Sequence, residues 1–239
     1  MAAGVWSKWW VIARREWQVA FQTPLAYILL GLWMLLSGFM YVGLLVASQS
    51  SNLSSLVQNM TVLVLFMAPF LTMRLLAEER RSGSEELVLT APISASQWVV
   101  GKYIGSVLVW TVFVLVSLLF PLVTSRVGQE DWGTVAASWA GLWLFGNATL
   151  AVGLFASSLT DNQLVAAMLS FVIILLFYIA SWVQTGGWLA TLLSYIDLPD
   201  QLSAFSVGSI AVTPLVFFLS LIGGFLFLSV RSVDLRRWT

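Results

Sequence analysis

Between Leu25 and Val230 the sequence keeps returning to apolar runs of about twenty residues, and that length restricts the fold more than any other feature. The hydrocarbon core of a bilayer is roughly 30 Å thick, which a helix of about 20 residues crosses. Runs of this kind lie at 25–47, 56–76, 98–124, 135–159, 164–182 and 209–230. Only 9% of the residues are charged, against about a quarter in an average soluble chain, so little is left for a water-facing surface. The expected fold class is an all-α integral membrane protein of about six transmembrane helices. It forms one domain over residues 1–239, with no sizeable soluble part.

Net charge is zero, which gives no reason to expect a nucleic acid partner. The chain has no Cys and no His. A thiol nucleophile, a disulfide, an imidazole-held haem or zinc and a Ser-His protease are therefore all excluded. A cleaved leader is not expected, because the first apolar run far exceeds the roughly 7–15 residues of a signal h-region.

Residues 1–22 read as an amphipathic interfacial helix. Trp6, Trp9, Trp10, Ala13, Trp17, Ala20 and Phe21 share one face at helical spacing, while Ser7, Lys8, Arg14, Arg15, Gln18 and Gln22 share the other. Indole rings at headgroup depth and cations toward anionic membrane lipids suit a helix lying flat on the bilayer. Thr23-Pro24 then reads as an N-cap and first helical position. Pro69 should kink the second run near its end, and Ser94-Ala95-Ser96-Gln97 should form a capping box opening the third. The fourth run is rich in small residues, which let helices approach closely in lipid. Its deepest strong polar group, Asn147, is expected to bond between helices. From 183 to 208 the pattern breaks into pieces too short to span, expected to be re-entrant or interfacial.

Lys and Arg set the orientation. An even number of crossings puts Lys8, Arg14, Arg15, Arg74, Arg80, Arg81, Lys102, Arg231, Arg236 and Arg237 on one side and Arg126 alone on the other. Both termini are therefore expected in the cytoplasm, together with the loop 77–94, the one dense run of charge. No titratable residue falls in the middle third of a crossing, where an ion-coupled carrier would hold its ion, and no crossing shows the polar stripe of a pore. The chain also lacks G-x-x-x-x-G-K-[ST], so a nucleotide motor, if used, is a separate polypeptide.

Three stretches carry a family resemblance. They are Phe21-Gln22-Thr23-Pro24-Leu25-Ala26-Tyr27, the loop from Leu76-Ala77-Glu78-Glu79-Arg80-Arg81-Ser82-Gly83 to Ala91-Pro92-Ile93-Ser94, and the tail Val230-Arg231-Ser232-Val233-Asp234-Leu235-Arg236-Arg237-Trp238. Over nearly its whole length the chain resembles ABC-2 type transporter permeases, nearest the gliding-motility GldF-type branch. It departs from that branch at Ala211-Val212-Thr213, where an acidic residue is usual. The resemblance implies a connecting helix, six membrane helices, a coupling helix between the second and third, and re-entrant helices before the sixth. It also implies a second permease subunit, identical or not, and a separate ABC ATPase that holds ATP and Mg. This chain itself is expected to bind no cofactor and to be no enzyme. Location in a bacterial inner membrane and work as an exporter follow from the same likeness. The alternative is a membrane scaffold passing ATPase motion to a periplasmic or accessory membrane partner without moving a solute.

The loop has the chemistry for a short lever. Gly83 can end the second helix in a left-handed cap, and Ser82 or Ser84 can then open a stub from Glu85 to Thr90 stopped by Ala91-Pro92. Glu85 and Glu86 in the first turn suit its positive end, and Leu87, Val88 and Leu89 supply packing. The expected ATPase-coupling residues are Glu78, Glu79, Arg80, Arg81, Glu85, Glu86, Leu87, Leu89 and Pro92. Trp6, Trp9, Trp10, Arg14, Arg15 and Trp17 are the expected membrane-interface set.

Overall fold

The computed structural model describes residues 5–48, 53–85, 93–126, 131–180, 195–206, 208 and 211–236. The described residues are helical and contain no strand. In chain order the helices are α1 (Val5–Gln22), α2 (Pro24–Ser48), α3 (Leu53–Thr72), α4 (Ala77–Arg81), α5 (Ala95–Ser117), α6 (Leu119–Thr124), α7 (Trp132–Leu159), α8 (Gln163–Tyr178), α9 (Leu198–Ser206) and α10 (Val212–Arg236). Among the described residues five stretches are long and apolar enough to cross a bilayer: α2, α3 with α4, α5 with α6, α7, and α10. The run expected as the fifth crossing contributes α8, whose 16 residues reach about 24 Å at 1.5 Å per residue, short of the bilayer core. The last crossing runs on through the basic tail to Arg236.

Local chemistry explains most of the boundaries. Ser94 and Gln97 form the expected capping box: the Ser94 hydroxyl accepts from the Gln97 N–H at 3.2 Å and the Gln97 side chain from the Ser94 N–H at 3.3 Å. Asp131 caps α7 and Asn162 caps α8. Thr23 differs from expectation, because its hydroxyl donates back to the Ala20 carbonyl at 2.9 Å and closes α1. Pro121 offers no N–H to the Ser117 carbonyl, and the third crossing breaks at Leu118 into α5 and α6. In the region 183–208, residues 198–206 form the nine-residue α9, too short to span, while 183–194 lie outside the described residues.

α7 is the centre of the packing, touching α3, α5, α8, α9 and α10. Its glycines each admit a different neighbour. A Cβ on Gly141 would meet Leu202 and Phe205 of α9 at 2.8 Å, one on Gly146 would enter the Trp110 ring of α5, and one on Gly153 would strike Thr72 of α3. Beside them an aromatic cluster of Trp33, Trp110 and Phe113 joins α2 to α5. Its indole N–H groups are satisfied, Trp33 donating to the Phe113 carbonyl at 3.1 Å and Trp110 to the Trp143 carbonyl at 3.3 Å, as a medium without water requires. Asn147 corrects the sequence reading. It is buried, but its Oδ1 has no hydrogen-bond partner among the described residues. The interhelical bond at that position goes to its backbone carbonyl, which accepts from the Tyr103 hydroxyl at 3.1 Å.

Two outcomes follow. Gly146→Ala should destabilise the purified protein by about 1–3 kcal/mol through overpacking against Trp110, whereas Gly224→Ala, with open space around its Cβ, should stay within about 0.5 kcal/mol; thermal unfolding in detergent distinguishes them. The Thr134 hydroxyl and the Gly133 N–H hold the Asp131 carboxyl below the usual Asp range. A carboxylate lowered in the folded state stabilises above its unfolded pKa, and that contribution is lost as pH falls through the lowered folded value. Unfolding scans from pH 7 down to pH 2.5 should therefore show a steeper acid loss for the parent than for Asp131→Asn, which keeps a capping oxygen without the titration.

Candidate functional site

The charged loop begins where the second crossing stops being helical. Pro69 cannot donate to the Leu65 carbonyl, yet α3 continues to Thr72 and the break falls at Met73–Leu76. A hydroxyl from α7 holds it there. The Ser157 hydroxyl donates to the Met73 carbonyl at 3.2 Å and accepts from the N–H groups of Leu76 and Ala77 at 3.1 and 3.0 Å. One donor and two lone pairs are a hydroxyl's full capacity, and all are used to pin the interruption to the core. Leu75, Leu76 and Ala77 are buried around it. α4 then makes one turn, with Glu78 and Glu79 at its start and Arg80 and Arg81 at its end. Gly83 follows with φ +72°, the left-handed conformation glycine adopts without penalty.

The charges of this turn are met from three directions. Lys102 on α5 is only 1% exposed, and its ammonium lies 2.8 Å from Glu16 of α1 and 3.0 Å from Glu79 of α4. It also lies 5.9 Å from the Trp98 ring centre. A buried ammonium without a partner is costly enough to neutralise or to force a rearrangement; here two carboxylates from two other elements supply the partners. Glu16 reaches it because α1 lies against α5 at backbone distance. A Cβ on Gly101 would meet Ile12 at 2.8 Å, and one on Gly105 would meet Glu16 at 2.5 Å. On the other flank Arg80 pairs with Glu85 at 3.0 Å and donates to the Ser158 carbonyl at 2.8 Å. The Ser232 hydroxyl donates to the same carbonyl at 3.1 Å, and Arg236 to that of Leu159 at 3.3 Å. These are end carbonyls of α7, which have no partner inside their own helix and favour cations. Arg74 and Glu78 form a two-bond pair at 2.7 and 3.0 Å on the half-exposed side.

The structure thus gathers Glu78, Glu79, Arg80 and Glu85 into ion pairs within the chain and leaves Arg81 exposed. Glu86, Leu87, Leu89 and Pro92 lie outside the described residues, and with them most of the expected stub from Glu85 to Thr90. On α1, Arg14, Arg15 and Trp10 are exposed, while Trp9 and Trp17 are half-buried and Trp17 stacks 4.6 Å from Phe21. The Trp6 side chain is outside the described set. The face of α1 turned to the protein is set by Ile12, Ala13 and Glu16, so the indoles divide between protein and surroundings. Glu16, Lys102 and Ser157 were missed as site residues. A lysine flanked by Gly101 and placed three residues before Gly105 was the available signal, since small residues one turn apart invite a second helix. Ser157 carried none.

A family model described as ABC-2 family transporter protein matches residues 10–229, which takes in α1 from its sixth position, the charged loop and most of α10. A search of curated proteins finds no match. The matched span covers the multi-pass bundle and the ion-paired turn alike, and the chain belongs to the ABC-2 family of transporter membrane proteins.

Proposed function

We propose that the chain is the permease subunit of an ABC exporter, nearest the gliding-motility GldF-type branch, driven by a separate ATPase that docks on the loop 77–94. The observation that carries this reading is the anchoring of α4. Ser157 ties it to α7, Lys102 ties it to α5 and α1, and Arg80 ties it to the end of α7. A loop meant only to be solvated has no need of three attachments to the bundle. A loop meant to receive a push does, because the push has to reach the helices without being absorbed by local bending. Its free side keeps Arg81, Ser82 and Gly83 exposed, a few residues before Glu86, Leu87, Leu89 and Pro92 in the sequence. In this reading the run 164–182 is the fifth of six crossings, 183–208 is the segment proposed as re-entrant on the far side, and both termini lie in the cytoplasm of a bacterial cell. Two permease subunits share the two ATPases, which bind ATP and Mg.

Reversing Glu86 to Lys, which leaves the buried Arg80–Glu85 pair intact, should abolish co-purification with the cognate ATPase and its stimulated hydrolysis; unchanged values for both would remove the docking assignment. A second variant separates docking from transmission. Lys102→Met leaves Glu16 and Glu79 facing each other without their cation, with an expected stability loss of about 3–5 kcal/mol. Adding Glu16→Gln and Glu79→Gln should restore a monodisperse, stable protein that still captures the ATPase yet no longer responds to it.

A further inference from the structure

A cleft of about 280 Å³ lies beside the ion-paired turn, enclosed by α1, the start of α2, the end of α3, α4 and α5. Its two ends differ in chemistry. Ala26, Leu29, Leu71 and Val109 make an apolar floor, and Val19 and Phe70, 42% and 44% exposed, form an open rim between α1 and α3. The other end is charged, with three bases, Arg15, Arg74 and Lys102, and three acids, Glu16, Glu78 and Glu79. Arg74 is taken by Glu78, and Lys102 is shared by Glu16 and Glu79. Arg15 has no ion pair among the described residues. The account therefore leaves one cation over, on Arg15, and one carboxylate charge over, on the two acids that share a single lysine. The end as a whole is neutral.

That pattern describes a ligand. The volume lies just below the roughly 300–1,000 Å³ typical of ligand pockets, room for the head-proximal part of one alkyl chain and too little for a whole two-chain lipid. The spare guanidinium suits a phosphate, which Arg binds with charge-assisted hydrogen bonds. The spare carboxylate beside it suits an ammonium. We propose that the cleft binds one acyl chain of a zwitterionic phospholipid with an ethanolamine head, the phosphate on Arg15 and the ammonium toward Glu16. The second acyl chain stays outside the rim, in the bilayer. Occupied, the cleft fills the space between α1 and α3 and braces the elements that meet at Lys102. The proposal stands without reference to any ATPase.

The full-length protein in detergent, incubated with phosphatidylethanolamine or phosphatidylglycerol, can be weighed intact by native mass spectrometry across a lipid titration. Phosphatidylethanolamine should be retained at one per chain and about tenfold more tightly than phosphatidylglycerol, the scale of one hydrogen bond to a charged group. Arg15→Gln, at an exposed position, should weaken it about tenfold. Ala26→Phe should fill the floor and abolish retention, while Val216→Phe, on the exposed side of α10, should change nothing. Phosphatidylglycerol binding as tightly as phosphatidylethanolamine would overturn the headgroup assignment. Undiminished retention by Arg15→Gln, or by Ala26→Phe with its unfolding temperature intact, would overturn the site.

Discussion

The structure depends most on one buried ammonium. With Lys102 at the base of α5 and almost wholly out of water, its charge has to be answered by protein, and both answering carboxylates come from elsewhere in the chain. Each answer imposes a condition. Glu16 requires α1 to lie on α5 more closely than side chains normally allow, hence Gly101 and Gly105 at the crossing. Glu79 requires the second crossing to stop being a continuous helix and turn back toward α5, hence the interruption at Met73–Leu76 held by Ser157. Remove the lysine and neither the close crossing nor the interruption has an electrostatic purpose.

α7 supplies the matching constraint from the other side. Helices in lipid have no hydrophobic drive to associate, so close packing and polar bonds must do it. α7 provides both along one length. Gly141, Gly146 and Gly153 admit α9, α5 and α3 in turn, and at its end Ser157 and the carbonyls of Ser158 and Leu159 bind α4 and α10. The packing of the bundle and the placement of the charged turn are thus set by the same helix.

How much of this could be read from the sequence depended on whether the relevant chemistry was local. Membrane class, the capping box at Ser94 and Gln97, the left-handed Gly83 and the close-packing role of the fourth run all follow from neighbouring residues or from composition, and the structure contains each of them. The partners of the charges were not local. Glu16 and Lys102 are 86 residues apart and Ser157 lies 80 from Ala77; no periodicity connects them. Asn147 shows the same limit in reverse, since a deep amide invites an interhelical bond, yet the geometry gave that bond to its backbone carbonyl. The charge of the loop 77–94 points to the cytoplasm, yet two of its three described acids, Glu79 and Glu85, are paired and largely out of water.

The placement of these charges at one level of the bundle also decides how motion could travel. α4 touches α1 and α5 through the lysine, α7 through Ser157, and α10 through the α7 end carbonyls they share. A displacement of this single turn cannot be taken up by one helix, because each attachment belongs to a different one. Nor is it readily absorbed by solvent, because the Lys102 ammonium and the Ser157 bonds to Leu76 and Ala77 are buried and leaving such groups unpaired carries their desolvation penalty. The cheapest response is for the attached helices to move together about the α4 turn, which converts a push of one short segment into a change of the bundle. The turn between the second and third crossings is therefore the place at which the proposed ATPase would act on the bundle.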